Sequence, residues 1–135
     1  HYINAFGEKL IIEHAEQAIK EACLTHNVQV REYTVAPDFS QTTQVGRHHW
    51  LIEFEQAPND LDAFACSLDA ELKKANADYD AKRKGNINIG SPLITIASHG
   101  TFHRWLKQKG KLGGQHKVPR LQNRDALLQE ILSCQ

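Results

Sequence analysis

His49-Trp50-Leu51-Ile52-Glu53-Phe54-Glu55 is the stretch that decides the fold. Trp50, Ile52 and Phe54 occupy alternate positions, the period-two pattern of a β-strand. Leu51 adds an apolar residue to the other face, beside the polar Glu53. A strand whose two faces both begin apolar belongs in the middle of a sheet, with at least partial cover on its second side. His48 and His49 are neighbours, so an extended chain sends them to opposite faces.

Downstream, Ala57-Pro58-Asn59-Asp60 is a turn ending in a helix cap. Leu61, Phe64, Ala65, Leu68, Leu72 and Ala75 form a helical stripe that Tyr79 extends. The spacing predicts one long helix, closed by Lys82-Arg83-Lys84 and stopped at Gly85. A polar loop over 86–92 leads to a strand over 93–97. Ser98-His99-Gly100 turns the chain, and Thr101 caps a short helix with Phe102, Trp105 and Leu106 on its apolar face. Asn123 or Asp125 caps a last helix that buries Leu127, Leu128, Ile131 and Leu132.

Upstream, Ala36 to Gly46 reads as a loop, with Pro37, Ser40, two threonines and Gly46. Val28 to Val35 is a strand whose alternation slips between Val30 and Tyr33, the mark of a bulge. Ala15, Ala18, Ile19, Ala22 and Cys23 form the buried face of a helix ending near Asn27, with Glu16 and Lys20 as an exposed i, i+4 pair. Tyr2 to Phe6 is a short strand closed by Gly7. Strand, helix, strand, strand, helix, strand is the split βαβ order of a ferredoxin-like α+β sandwich. Its two long helices cover one face of a mainly antiparallel sheet, and the C-terminal helices are additions.

The 135 residues suit a single domain, 1–135. Sixteen basic residues balance sixteen acidic ones, which excludes the strongly basic footprint of a nucleic-acid binder. No apolar run reaches the roughly 18 residues of a membrane span, and the start is not a signal peptide. Cys23, Cys66 and Cys134 fall inside helical apolar patterns, which points to buried, reduced thiols and a cytoplasmic protein. The chain has no methionine and starts inside an apolar pattern, as a piece of a longer protein would.

No complete active site is legible in the residues alone. Eight histidines invite a metal, but neither HExxH nor a CxxC pair occurs, and no metal site is expected. Lys109-Gly110-Lys111-Leu112-Gly113-Gly114 matches a phosphate loop in composition only. Asp78, Asp80, Lys82 and Arg83 read as a solvated, charged helix end. In Gly113-Gly114-Gln115-His116-Lys117-Val118-Pro119-Arg120-Leu121, the glycines allow a tight turn and Pro119 keeps Val118 extended. Lys117 is therefore either an aimed ammonium or an ordinary solvated lysine.

Taken in order, several stretches carry a resemblance. They are Ile3-Asn4-Ala5-Phe6-Gly7-Glu8-Lys9-Leu10, Glu32-Tyr33-Thr34-Val35-Ala36-Pro37, Gly46-Arg47-His48-His49-Trp50-Leu51-Ile52-Glu53-Phe54, Leu68-Asp69 with 76–83, Gly100-Thr101-Phe102, and 113–121. Together they resemble the C-terminal domain of the auxin-responsive promoter family, which holds the plant acyl acid–amido synthetases and bacterial relatives. The Ala5-Phe6-Gly7-Glu8 opening is closer to the bacterial branch.

The resemblance implies a mobile lid of an adenylate-forming ligase, inactive alone. A larger N-terminal adenylation domain, preceding His1 across a hinge, would bind ATP, Mg2+ and a carboxylic acid. The lid would close over it, and after rotation an amine would take the acyl group. By the same resemblance Lys117 is the mobile catalytic lysine and Gly7 is the turn facing the active site in the second pose. Gln115 and Arg120 are supporting substrate-binding groups. The alternative is a free-standing ferredoxin-like module that binds a small ligand or dimerises.

Overall fold

In the computed structural model, which describes residues 2–40, 45–110 and 117–135, the chain runs β1 (Tyr2–Ile3), β2 (Leu10–Ile11), α1 (Ile12–His26), β3 (Val30–Asp38) and β4 (Arg47–Phe54). It continues through α2 (Leu61–Ala75), α3 (Ala77–Arg83), a single 3-10 turn (Lys84–Asn86), β5 (Leu93–Ile96), α4 (Thr101–Gln108) and α5 (Ala126–Leu132). The expected α+β layering with added C-terminal helices is present, and β4 is the middle strand of the order β3-β4-β5. No described helix is long and apolar enough to cross a membrane.

The alternation of β4 distributes its side chains between two cores. Trp50, Ile52 and Phe54 join Tyr33 and Val35 of β3 against Ala15, Ala18, Ile19 and Ala22 of α1 and Phe64, Leu68 and Leu72 of α2. Leu51 faces the other way and packs with Ala36, Phe102, Trp105, Leu128 and Ile131, so α4 and α5 cover the second face. His48 and His49 follow the same rule, both buried, with His49 Nε2 2.7 Å from Thr95 Oγ1. Glu53, also on the α4 side, accepts from the backbone N–H groups of Gly100 (3.0 Å) and Phe102 (3.4 Å). A strand carboxylate thus caps α4, in place of the expected Thr101, and its charge suits the helix N-terminus.

Several expectations need correction. The sheet is mixed: β3 and β4 are antiparallel, with the bulge between Val30 and Glu32, but β4 and β5 are parallel. With β5 beside β4, the first strand stays outside the main sheet and pairs with β2, Ile3 opposite Leu10. The stretch from Ala36 is strand as far as Asp38, which pairs with Arg47. Pro37 is tolerated because Val35 turns its N–H away from β4, and the period of two puts the Pro37 nitrogen on that outer side as well. Cys66 is exposed rather than buried.

A further correction concerns the long helix, which breaks at Asn76. Asn76 is extended; its oxygen accepts from Tyr79 N–H at 2.8 Å, capping α3, and its amide donates to the carbonyls of Glu8 (2.9 Å) and Lys9 (3.1 Å). One buried side chain therefore ends α2, starts α3 and holds the N-terminal turn. Arg83 is not solvated. It is buried and grips Asp69 of α2 through Nε (2.9 Å) and Nη2 (2.7 Å), and it also donates to Ile89 O (3.2 Å). Tyr79 Oη donates to the same carboxylate at 2.6 Å. Glu16 bonds Tyr33 Oη at 2.8 Å and Arg120 at 3.3 Å instead of forming the expected pair with Lys20.

Burial alone would raise the pKa of Asp69, but the hydrogen bonds from Arg83 and Tyr79 outweigh it and hold the carboxyl below its ordinary range. A depressed folded-state pKa stabilises the fold above the unfolded value, near pH 4, and the gain disappears as pH falls through the folded value. Asp69→Asn leaves Arg83 buried without its counter-charge and is expected to cost about 3–5 kcal/mol in urea unfolding at pH 7. The difference from wild type should shrink in melts run below pH 4.

Candidate functional site

Lys117 begins a segment laid along the free edge of β3. Val35 donates to Arg120 O at 2.8 Å and accepts from Gln122 N–H at 2.9 Å, which makes an isolated parallel bridge with Leu121. Thr34 Oγ1 donates to Pro119 O at 2.7 Å and accepts from Gln122 Nε2 at 2.6 Å. Val118 is buried in the core between sheet and α4/α5, whereas Lys117 is exposed. The extended run read from the sequence is therefore anchored on one side of Lys117 by a buried valine and a sheet edge. Lys117 lines a hollow of about 350 Å³ together with Glu32, Leu106, Val118 and Arg120.

Arg120 braces this segment from within. Its guanidinium pairs with Glu32 and Glu16 and lies 4.7 Å from the centroid of the Tyr33 ring. Burial, and then the Glu16 carboxylate, push the Tyr33 hydroxyl well above its usual range, so it stays a neutral donor to Glu16. Gln115 lies outside the described residues. Lys117 has no ion-pair partner among the described residues, while Arg120 is engaged by Glu16, Glu32 and the Tyr33 carbonyl.

Gly7 lies on a turn at the other end of the sheet. Its φ is +81°, which glycine adopts without strain, and its N–H bonds Asn4 O at 3.2 Å. A Cβ here would stand 3.3 Å from Lys82 Cε, so the glycine also makes room for that side chain. The turn is tied to β4 through Glu8, whose Oε2 lies 2.5 Å from His48 Nε2, and Glu8 Oε1 accepts from Phe6 N–H at 2.9 Å. Sequence reasoning gave Glu8 and His48 no role. They are 40 positions apart, and no local pattern connects them. The Asp69–Arg83 pair did leave a trace. Asp69, Asn76 and Arg83 recur every seven residues on the stripe that holds Leu68, Leu72 and Tyr79.

The two stations do not converge. Glu32, beside Lys117, and Pro37, opposite His48, are five residues apart on β3, a span of roughly 16 Å. The two stations also lie on opposite faces of the sheet. Among the described residues no three His, Cys, Asp or Glu side chains gather as a metal site.

These features define a small three-layer α+β domain that presents an exposed lysine at one end and a clamped glycine turn at the other. The model of the GH3 family C-terminal domain matches residues 13–126. The chain belongs to the GH3 family, and the resemblance to the C-terminal domain of the auxin-responsive promoter family is borne out. No curated protein matches the sequence. Among solved structures, a GH3.15 acyl acid amido synthetase is similar at 20% identity and a TM-score of 0.78 over 98% of this chain. An AtGH3.15 acyl acid amido synthetase in complex with 2,4-DB gives 18% and 0.76 over the same share. At these identities the likeness is one of fold. The chain spans about a quarter of the length of either structure, 25% in both cases.

Thr34→Val removes both hydroxyl bonds that hold the Lys117 segment and is expected to cost about 1–3 kcal/mol. Amide exchange should quicken at Val35 and Gln122 more than at Ile52 in the middle of β4.

Proposed function

We propose that residues 1–135 are the mobile C-terminal lid of a larger, ATP-dependent acyl acid–amido synthetase. In the first half-reaction a carboxylate attacks the α-phosphorus of ATP, and pyrophosphate leaves. In the second an amine, such as an amino acid, attacks the acyl carbon, loses a proton and displaces AMP. The adenine, acid and most amine contacts, with ATP and its Mg2+, belong to the adenylation domain of the longer chain. The lid alone is inactive and binds ATP weakly or not at all.

The observation that carries this reading is the separation of the two stations in a domain of this family. Groups at opposite ends and faces of one sheet serve a single reaction centre only by presenting themselves in turn, which requires the lid to rotate. In the first pose Lys117 reaches the phosphate and carboxylate oxygens, where a point cation stabilises the charge that builds up in the displacement. Gln115 and Arg120 support it, Arg120 by fixing the course of the segment. In the second pose the Gly7 turn comes close to the acyl-adenylate, since a residue without a Cβ lets backbone approach the substrate. The three free cysteines favour a reducing, cytoplasmic setting.

Lys117→Ala in the full-length enzyme should lower ATP–pyrophosphate exchange on the order of 10²–10³-fold. The melting temperature of the isolated domain should not change, because the side chain is exposed. Undiminished exchange would remove the assigned role. Calorimetry of the isolated domain with ATP should give no tight binding.

A further inference from the structure

The turn from Asn4 to Lys9 is held more firmly than its own folding requires. Asn4 already closes it locally, accepting from Gly7 N–H through its carbonyl and from Lys9 N–H through Oδ1 at 3.0 Å. A second set of bonds reaches across the domain. Glu8 is wholly buried and joins Phe6 N–H to the wholly buried ring of His48 on β4. Behind it, His48 stacks on Tyr79 at a 5.6 Å centroid distance and lies 5.7 Å from Phe6. Asn76 bonds the Glu8 and Lys9 carbonyls from the third side.

This arrangement is costly. Burying an ionisable pair gains little over apolar residues of the same volume unless its geometry is needed. His48 Nδ1 has no hydrogen-bond partner among the described residues. Lys9, with a side chain, is held at φ +41°. Costs of this kind persist where the surrounding structure over-determines a shape that is used.

We propose that Glu8 and His48 are positioning residues for the second half-reaction, fixing the Phe6–Gly7 backbone so that Gly7 meets the acyl-adenylate in one preset conformation. This rests on the role given to Gly7 above. The pair touches no substrate. It acts through the turn, by transmitting the position of β4 to Phe6 N–H through two bonds.

The experiment has two arms. In the 135-residue chain, His48→Phe keeps a ring against Tyr79 and Phe6 but removes the partner of Glu8. Amide exchange at Phe6 should quicken at least tenfold, while Val35 at the remote sheet edge stays within about twofold. Adding Glu8→Gln to that variant keeps an acceptor for Phe6 N–H but no bond to β4, so the protection should stay low, and its recovery would count against the link. Glu8→Ala alone should give the same loss at Phe6, and it carries this arm if His48→Phe does not fold. Unchanged exchange at Phe6, or equal acceleration at Phe6 and Val35, overturns the proposal.

In the full-length enzyme, Glu8→Ala should leave pyrophosphate exchange within twofold of wild type. Acyl transfer to hydroxylamine, read as hydroxamate, should slow at least tenfold. Parallel loss of both half-reactions, or of neither, overturns the positioning role. Absence of pyrophosphate exchange in the wild-type enzyme would instead sink the ligase reading, and the amide-exchange arm would still decide whether the pair fixes the turn.

Discussion

Strand β4 is buried on both faces, and the remaining elements are arranged to satisfy it. Trp50, Ile52 and Phe54 require a helical layer on one side, which α1 and α2 supply. Leu51 requires a second layer, which α4 and α5 supply, and Glu53 orients that layer by capping α4. A strand with this demand cannot lie at an edge, so β5 flanks it on one side and β3 on the other, with the outer edge of β3 open to a further segment. The Lys117 segment fills part of that edge. The position of the lysine is thus a consequence of how a doubly covered strand is completed.

Buried polar groups do a different task from the apolar layers. Hydrophobic contact brings α2 and α3 onto the sheet but does not set where the helix must break. Asn76 and the Asp69–Arg83 pair set it, because each has bonds that only one geometry satisfies. Arg83 also holds the carbonyl of Ile89, which fixes the route into β5. Asn76 also ties this break to the Glu8 and Lys9 carbonyls, so the glycine turn is fixed by polar bonds as well as by packing.

What the sequence disclosed follows from the range of each interaction. Periodicity found β4, the faces of α1 and α2, and the slip in β3, because those signals are local. The asparagine end of α1 was legible for the same reason. The break at Asn76 was hidden, since Tyr79 continues the stripe and only the distant Glu8 and Lys9 carbonyls show what Asn76 is for. Pro37 concealed the last part of β3, because its acceptability depends on which edge is unpaired. The pairing of β5 beside β4 left no mark in either strand. Of the site, the extended course of the lysine segment was visible from Pro119. Its attachment to Thr34 and Val35 was not, nor was the Glu8–His48 link. Lys117 and Gly7 were singled out by resemblance, whereas spacing alone left the lysine ambiguous.

The attachment of the lysine segment also depends on contacts far apart in the sequence. Thr34 and Gln122 meet although they are 88 positions apart. Contacts of such long sequence separation form only after the intervening chain has collapsed, because closing a large loop forfeits entropy before any contact repays it. The segment has a single bridge to the sheet, so it also detaches at a lower free energy than the strands it borders. The part that carries the ammonium is therefore held to the sheet less firmly than the paired strands beside it. Its dwell time on the sheet edge therefore becomes a kinetic variable that evolution can adjust at Thr34 and Val118 without touching the lysine itself.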